Sequence, residues 1–248
     1  MRDIIKIVST IDEFHPKLYN DLEIGIEIQD YTEPNLSMRQ MAIILAKYKK
    51  MLTDFKGIKA MHGPFLDLMP ASPDLEIRRV SQQRYLNALF IARELDLDFL
   101  IFHSQINPAI KDPKIVELNN FQTKKMWEKL LEESKYEGTV LVENLFETNP
   151  HQLKNYIDDI DMPNVKINLD IGHAKLSKHP ISKWVEVLGE DIEYMHVHTN
   201  KGYEDSHSIP SKEEIKELYK ILDENKINPK LSLEYRTKDL QEEIKKYR

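Results

Sequence analysis

Cysteine is absent from the 248 residues. That absence excludes disulfides, thiolate metal sites and cysteine nucleophiles, and it accords with a reducing interior, so the cytoplasm is the expected location. No window approaches the roughly 20 apolar residues that a membrane-spanning helix needs. The opening stretch MRDIIKIVSTIDEFHP has no long apolar core either, so neither export nor membrane insertion is expected. Excess positive charge is also missing. The formal net charge of −7 argues against a protein that coats nucleic acid through a generally basic surface. No Gly/Ser linker, low-complexity run or charge block divides the chain, so one domain over residues 1–248 is expected. There is no G-x-G-x-x-G, no P-loop and no nucleophile elbow, which leaves nucleotide binding and serine hydrolysis without support.

What is present is an ordinary globular composition, 41% hydrophobic and 31% charged, able to bury a substantial core. Eight short β-branched runs recur: DIIKIVS, IGIEIQ, IKAMHG, DFLIFHS, TVLVENL, VKINLDIG, IEYMHVH and KLSLEY. Between them lie stretches of helical periodicity, among them SMRQMAIILAKYKKML, PDLEIRRVSQQRYLNALFIAREL, FQTKKMWEKLLEES, NPHQLKNYIDDI, ISKWVEVLG and SKEEIKELYKILDEN. Helix starts are expected at Ser72-Pro73-Asp74 and at Ser211-Lys212-Glu213-Glu214, where carboxylates meet the positive end of the helix dipole. Alternating strand and helix implies a parallel sheet, and near-continuously apolar strands imply burial on both faces. Eight such units at this length predict an α/β fold, a single-domain (β/α)8 TIM barrel.

In a barrel the reactive side chains belong at the C-terminal ends of the strands. His62, His103 and Glu143 end the third, fourth and fifth runs, and Asp170 ends the sixth with His173 one turn later. His196 and His198 end the seventh, Asp205 and His207 follow in its loop, and Glu234 ends the eighth. Carboxylates crowded into one mouth would repel one another without cations, and these nitrogen and oxygen donors suit zinc, manganese, cobalt or magnesium. One to three divalent ions per chain are expected. His198, two residues from His196, should point to the opposite face of its strand and support the site without binding metal. His15, His151 and His179 sit in loops or helix starts beside proline and read as surface residues, while Trp127 and Trp184 read as packing between helices and barrel.

These residues resemble a superfamily, the xylose isomerase-like TIM barrels that include sugar phosphate isomerases and epimerases as well as endonuclease IV. The resemblance covers nearly the whole chain and rests on HGPF (62–65), MPASP (69–73), IFH (101–103), VENLFE (142–147), LDIGHAKL (169–176), HVHTNKGYEDSH (196–207) and LEY (233–235). For the isomerase branch it implies one divalent metal held by Glu143, Asp170, His196 and Glu234. The two glutamates would double as the proton-transfer pair, with His173 contacting substrate. For the endonuclease IV branch it implies three zinc ions, with further ligands at His62, His103, His173, Asp205 and His207, all of which are filled here. The HVHTNKGYEDSH segment, VENLFE and DIGHA look closer to the isomerase branch, whereas endonuclease IV usually carries DTCH where this chain has DIGH. Thr199 and the SIPSKEE segment depart from the isomerase pattern. Arg39, Lys175, Lys201, Tyr203 and Arg236 would suit one phosphate better than a DNA duplex, and Lys201 and Arg236 are the expected substrate contacts. The expected partner is therefore a small sugar or sugar phosphate, with duplex DNA containing an abasic site as the alternative.

Overall fold

A computed structural model describes residues 2–248. Each of the eight apolar runs forms a strand: β1 Ile4–Val8, β2 Gly25–Ile28, β3 Lys59–His62, β4 Phe99–His103, β5 Thr139–Glu143, β6 Val165–Asp170, β7 Ile192–Val197 and β8 Lys230–Leu233. All neighbours pair in parallel, and β1 pairs with β8 through Ile4 and Leu231, which closes the barrel. The strands are short and buried because each presents one face inward and the other to the helices. Ile5, Ala60, Phe99, Ile101, Leu141 and Tyr194 fill the inside, and a larger cluster including Val8, Ile28, Met61, Phe102, Val142 and Leu169 meets the surrounding helices. A register irregularity between Ile167 and Asn168 adjusts β6 against β7.

The helices are α1 Pro16–Asp21, α2 Met38–Met51, α3 Leu75–Glu94, α4 Pro113–Ser134, α5 Pro150–Ile160, α6 Ile171–Leu176, α7 Ile181–Leu188, α8 Lys212–Glu224 and α9 Leu240–Ile244. Capping boxes open α2 (Ser37 with Gln40), α5 (Asn149 with Gln152) and α8 (Ser211 with Glu214), satisfying amides that the first helical turn leaves free. The start at Ser211 is as expected. At α3 the expectation is corrected: Asp74 is itself the cap, accepting from the amides of Glu76 and Ile77, while Ser72 bonds the Asp74 amide. Helix α4 begins eight residues before the expected stretch, because Asp112 caps it and Pro113 occupies its first turn. Helices α1, α6 and α9 are too short to show a period in sequence.

Candidate metal centre

Strand register brings the donors together. His103 is the direct partner of Glu143 across β4 and β5, and Asp170 is the direct partner of His196 across β6 and β7, so their side chains stand side by side. Asp170 also caps α6: its Oδ1 accepts from the His173 amide at 2.7 Å, which turns the D-x-x-H spacing into one helical turn and returns the His173 ring to the mouth. The loop after β7 is pinched by a backbone bridge between Thr199 and Ser208, with N···O distances of 2.9 and 2.8 Å. That bridge folds Asp205 and His207 back over the site, and His207 takes a left-handed φ of 43° to do so.

The donors form four groups, each with its ligand atoms within 4.8 Å of one another. In the first, His62 Nε2 and His103 Nε2 lie 3.5 and 3.7 Å from the two oxygens of Glu143. In the second, His196 Nδ1 lies 3.2 Å from Glu143 Oε2 and 3.7 Å from Asp170 Oδ2, with Glu234 Oε2 a further neighbour at 2.9 Å. In the third, His198 Nε2 lies 3.0 Å from Asp170 Oδ2 and 3.9 Å from Glu234 Oε2. In the fourth, which also includes His198, Asp205 Oδ2 is 3.1 Å from His173 Nε2 and 2.8 Å from His207 Nε2. Glu143 belongs to the first two groups.

Burial raises the free energy of ionised carboxylates, yet here it is overridden. Glu143 is pushed up by burial, but His196 and His62 hold it well below the usual carboxylate range. Asp170 is held low in the same way by His173 and His198. Burial would lower His196, but Glu234, Glu27 and Glu143 drive it far above an ordinary imidazole. His173 rises to about 10, since Asp170 and Asp205 overcome its burial, and His207 rises to about 9 through its bond to Asp205. His103 behaves oppositely: burial drops it to about 4, which leaves a neutral ring ready to donate a lone pair.

Whether this set suits a divalent cation is decided by its orphaned atoms. His196 Nδ1 and Glu234 Oε2 are buried, lie 2.9 Å apart and yet make no hydrogen bond. Buried polar atoms without partners are rare and ask for an explanation. A cation among nitrogen and oxygen donors supplies one, so the residues fit the group.

The structure thus brings together His62, His103, Glu143, Asp170, His173, His196, Asp205, His207 and Glu234. His198 departs from expectation. Strand β7 stops at Val197, so alternation no longer governs the next residue; the His198 ring does not point away but bonds Asp170 Oδ2 through Nε2 at 3.0 Å and stacks on His207 at 4.1 Å. His198 is thereby a member of two of the donor groups. Lys201 and Arg236 are exposed, and Lys175 is already committed to Thr199 and Glu214 at 2.8 and 3.1 Å. Trp127 and Trp184 are fully buried, as their spacing implied.

Sequence reasoning missed Glu27. It sits on β2, completely buried, and its oxygens receive His196 Nε2 at 3.0 and 3.1 Å, Tyr194 Oη at 2.8 Å and Ser232 Oγ at 2.7 Å. The only signal was a lone carboxylate inside the apolar run IGIEI. Asn168, which donates to Glu143 Oε2 at 2.9 Å, was equally hidden two residues before the recognised strand end at Asp170.

Residues 23–248 match the family described as xylose isomerase-like TIM barrel. The chain belongs to that family. Its members bind divalent metals and act on small sugars or on DNA. An uncharacterized protein of Methanocaldococcus jannaschii is 31% identical over a stretch covering 65% of this chain and 58% of that protein, so the match spans under two thirds of the relative's length. Among solved structures, the TTHB071 protein from Thermus thermophilus, soaked with zinc chloride, superposes with a TM-score of 0.75 at 23% identity, covering 95% and 92% of the two chains. A D-tagatose 3-epimerase-like protein gives 0.72 at 23% identity over 99% and 94%. An AP endonuclease, family 2, from Brucella melitensis gives 0.68 at 16% identity over 96% and 95%. At these identities the likeness is one of fold. Among the described residues no helix of this xylose isomerase-like barrel is long and apolar enough to cross a membrane.

Proposed function

We propose that this barrel is a divalent-metal-dependent isomerase or epimerase of a small sugar or sugar phosphate. The observation that carries the reading is the convergence of Glu143 and Glu234 on one point: each places a carboxylate oxygen within 3.2 Å of the same unpaired nitrogen, His196 Nδ1. A divalent cation held by Glu143, Asp170, His196 and Glu234 supplies polarisation of a carbonyl and its neighbouring hydroxyl, which acidifies the adjacent C–H. Two glutamates at that point are placed to take a proton from one carbon and return one to the other carbon or face. Burial removes competing water and strengthens each charge contact. His173, whose backbone is locked by Asp170, holds its ring toward the substrate side. Lys201 and Arg236, exposed on the loops after β7 and β8, would meet a phosphate or hydroxyl of the substrate at the rim. The absence of cysteine suits work in a reducing cytoplasm.

A second reading is favoured by one specific observation. Both oxygens of Glu143 face imidazole nitrogens, His62 on one side and His103 on the other, so a metal in each of the first two groups would occupy the carboxylate that proton transfer needs. Three ions shared among the four groups would suit a phosphodiesterase acting on an abasic site in DNA, for which they would supply activation of water and stabilisation of the leaving oxygen. Metal content per chain followed by the double substitution Asp205→Asn with His207→Asn separates the two. We expect about one ion per chain and a variant that keeps most of its activity on ketoses and ketose phosphates. Three zinc ions per chain, with cleavage of an abasic oligonucleotide lost in the variant, would reject the isomerase reading.

A further inference from the structure

We infer that β2 and the residue that follows it, which contribute no metal donor, position the centre: Glu27 sets the orientation and tautomer of His196, and Gln29 sets the orientation of the Glu234 carboxylate. The inference rests on the metal centre but not on which reaction it runs.

Glu27 lies on β2 and Gln29 one residue beyond its end, and both side chains reach across the barrel mouth to residues of β7 and β8 or the position just after β8. Glu27 reaches across the barrel to β7 and β8. All its contacts come from donors: His196 Nε2 at 3.0 and 3.1 Å, Tyr194 Oη at 2.8 Å and Ser232 Oγ at 2.7 Å. With its oxygens so occupied, Glu27 belongs to none of the donor groups.

The consequence lies on the other side of the ring. Because Nε2 of His196 donates to Glu27, the nitrogen left to bind a cation is Nδ1, the atom that faces Glu143, Asp170 and Glu234 and makes no hydrogen bond. A carboxylate acceptor behind the ring also makes Nδ1 a stronger donor to a cation. Gln29 acts in parallel on Glu234. Its Nε2 donates to Oε1 at 3.2 Å, which turns the remaining oxygen, Oε2, toward His196 Nδ1 with no partner of its own. β2 and the residue just after it therefore aim both atoms that stand 2.9 Å apart.

The test is zinc affinity, measured by chelator competition on Glu27→Gln, Gln29→Leu and Ser232→Ala, with the tautomer of His196 read by nitrogen NMR in the zinc-loaded chains. Glu27→Gln keeps the size and an acceptor but removes the charge, and we expect zinc affinity to fall by about 10- to 100-fold. Gln29→Leu should lose about tenfold, at the low end of the same range. Ser232→Ala, which removes only a neutral contact to Glu27, should change affinity much less than either. A purely structural role would lower thermal stability while leaving the zinc affinity of the folded chains and the His196 tautomer as in the wild type, and that result overturns the inference. If Glu27→Gln does not fold, Gln29→Leu decides the matter by the same measurement. A wild-type chain that binds no divalent ion would instead reject the metal centre itself, so the two failures are distinguishable.

Discussion

Gly172, inside the DIGH motif, shows how tightly a single position is held. A β-carbon there would coincide with the imidazole ring of His198, which is wedged between Asp170 and His207. No flexible tail is available to yield, because the whole ring is fixed by its bond and its stack. Gly172→Ala should therefore destabilise the fold by about 1–3 kcal/mol, as overpacking of a dense interior does. Urea denaturation checks this, and a variant as stable as wild type would show that His198 is free to move. In sequence, this glycine reads only as part of a motif; the ring that demands it lies 26 residues away. His198 was misread for a related reason: a two-residue offset predicts opposite faces only while the strand continues, and β7 ends one residue earlier.

The start of α8 ties a helix cap to the wall of the metal centre. Glu214 completes the capping box with Ser211 and also receives Thr199 Oγ1 at 2.7 Å and Lys175 Nζ at 3.1 Å. Burial pushes its pKa upward, but the Ser211 amide, Thr199 and Lys175 together hold it at about 2. A carboxylate lowered in the folded state adds stability above its unfolded value near 4.3, and that stability is lost as pH falls toward 2. The side chain is 40% exposed, so screening limits the effect to about 1 kcal/mol. We expect Glu214→Gln to be less stable than wild type at pH 7 by that amount, with the gap closing near pH 2; denaturation at pH 7, 4 and 2.5 measures it, and a constant gap would contradict the assignment. Capping signals of this kind were legible, since Ser211 and Glu214 occupy fixed offsets. The early start of α4 was not, because PKIVELNN carries little apolar periodicity and its helix is set by Asp112 and Pro113.

The nine donors come from β3 to β8 and the segments that follow them, so a bound cation would crosslink most of the barrel's rim. Zinc at 100 times its dissociation constant should stabilise the chain by about 2.7 kcal/mol. For a chain of this size that is a rise of about 5–10 °C in Tm, which chelation should reverse. Proton linkage sets how this varies with pH. His173 and His207 are raised to about 10 and about 9, so in the metal-free chain both carry protons at pH 7 and must lose them to ligate. Zinc affinity should therefore rise between pH 6 and 9. The same raised values stabilise the metal-free chain below pH 6.5 and cease to do so as pH climbs through 9 and 10. Thermal melts with and without zinc across that range should diverge as pH increases; parallel curves would remove His173 and His207 from the metal sites.

By itself the sequence determined the barrel, because eight runs apolar on both faces, separated by helical periods, have few other ways to bury their surface. It also determined most of the candidate donors, since strand ends in such a barrel are obliged to share one mouth. Tertiary structure alone decided how those donors are divided into four groups, which depends on strand register and on the Thr199–Ser208 bridge. It alone decided that Glu27 and Gln29 touch them, because a hydrogen bond between residues 169 or 205 positions apart exists only once the end of β2 faces the ends of β7 and β8. Local preference reaches a few residues along the chain; closing the barrel is what brings its two halves within hydrogen-bonding distance.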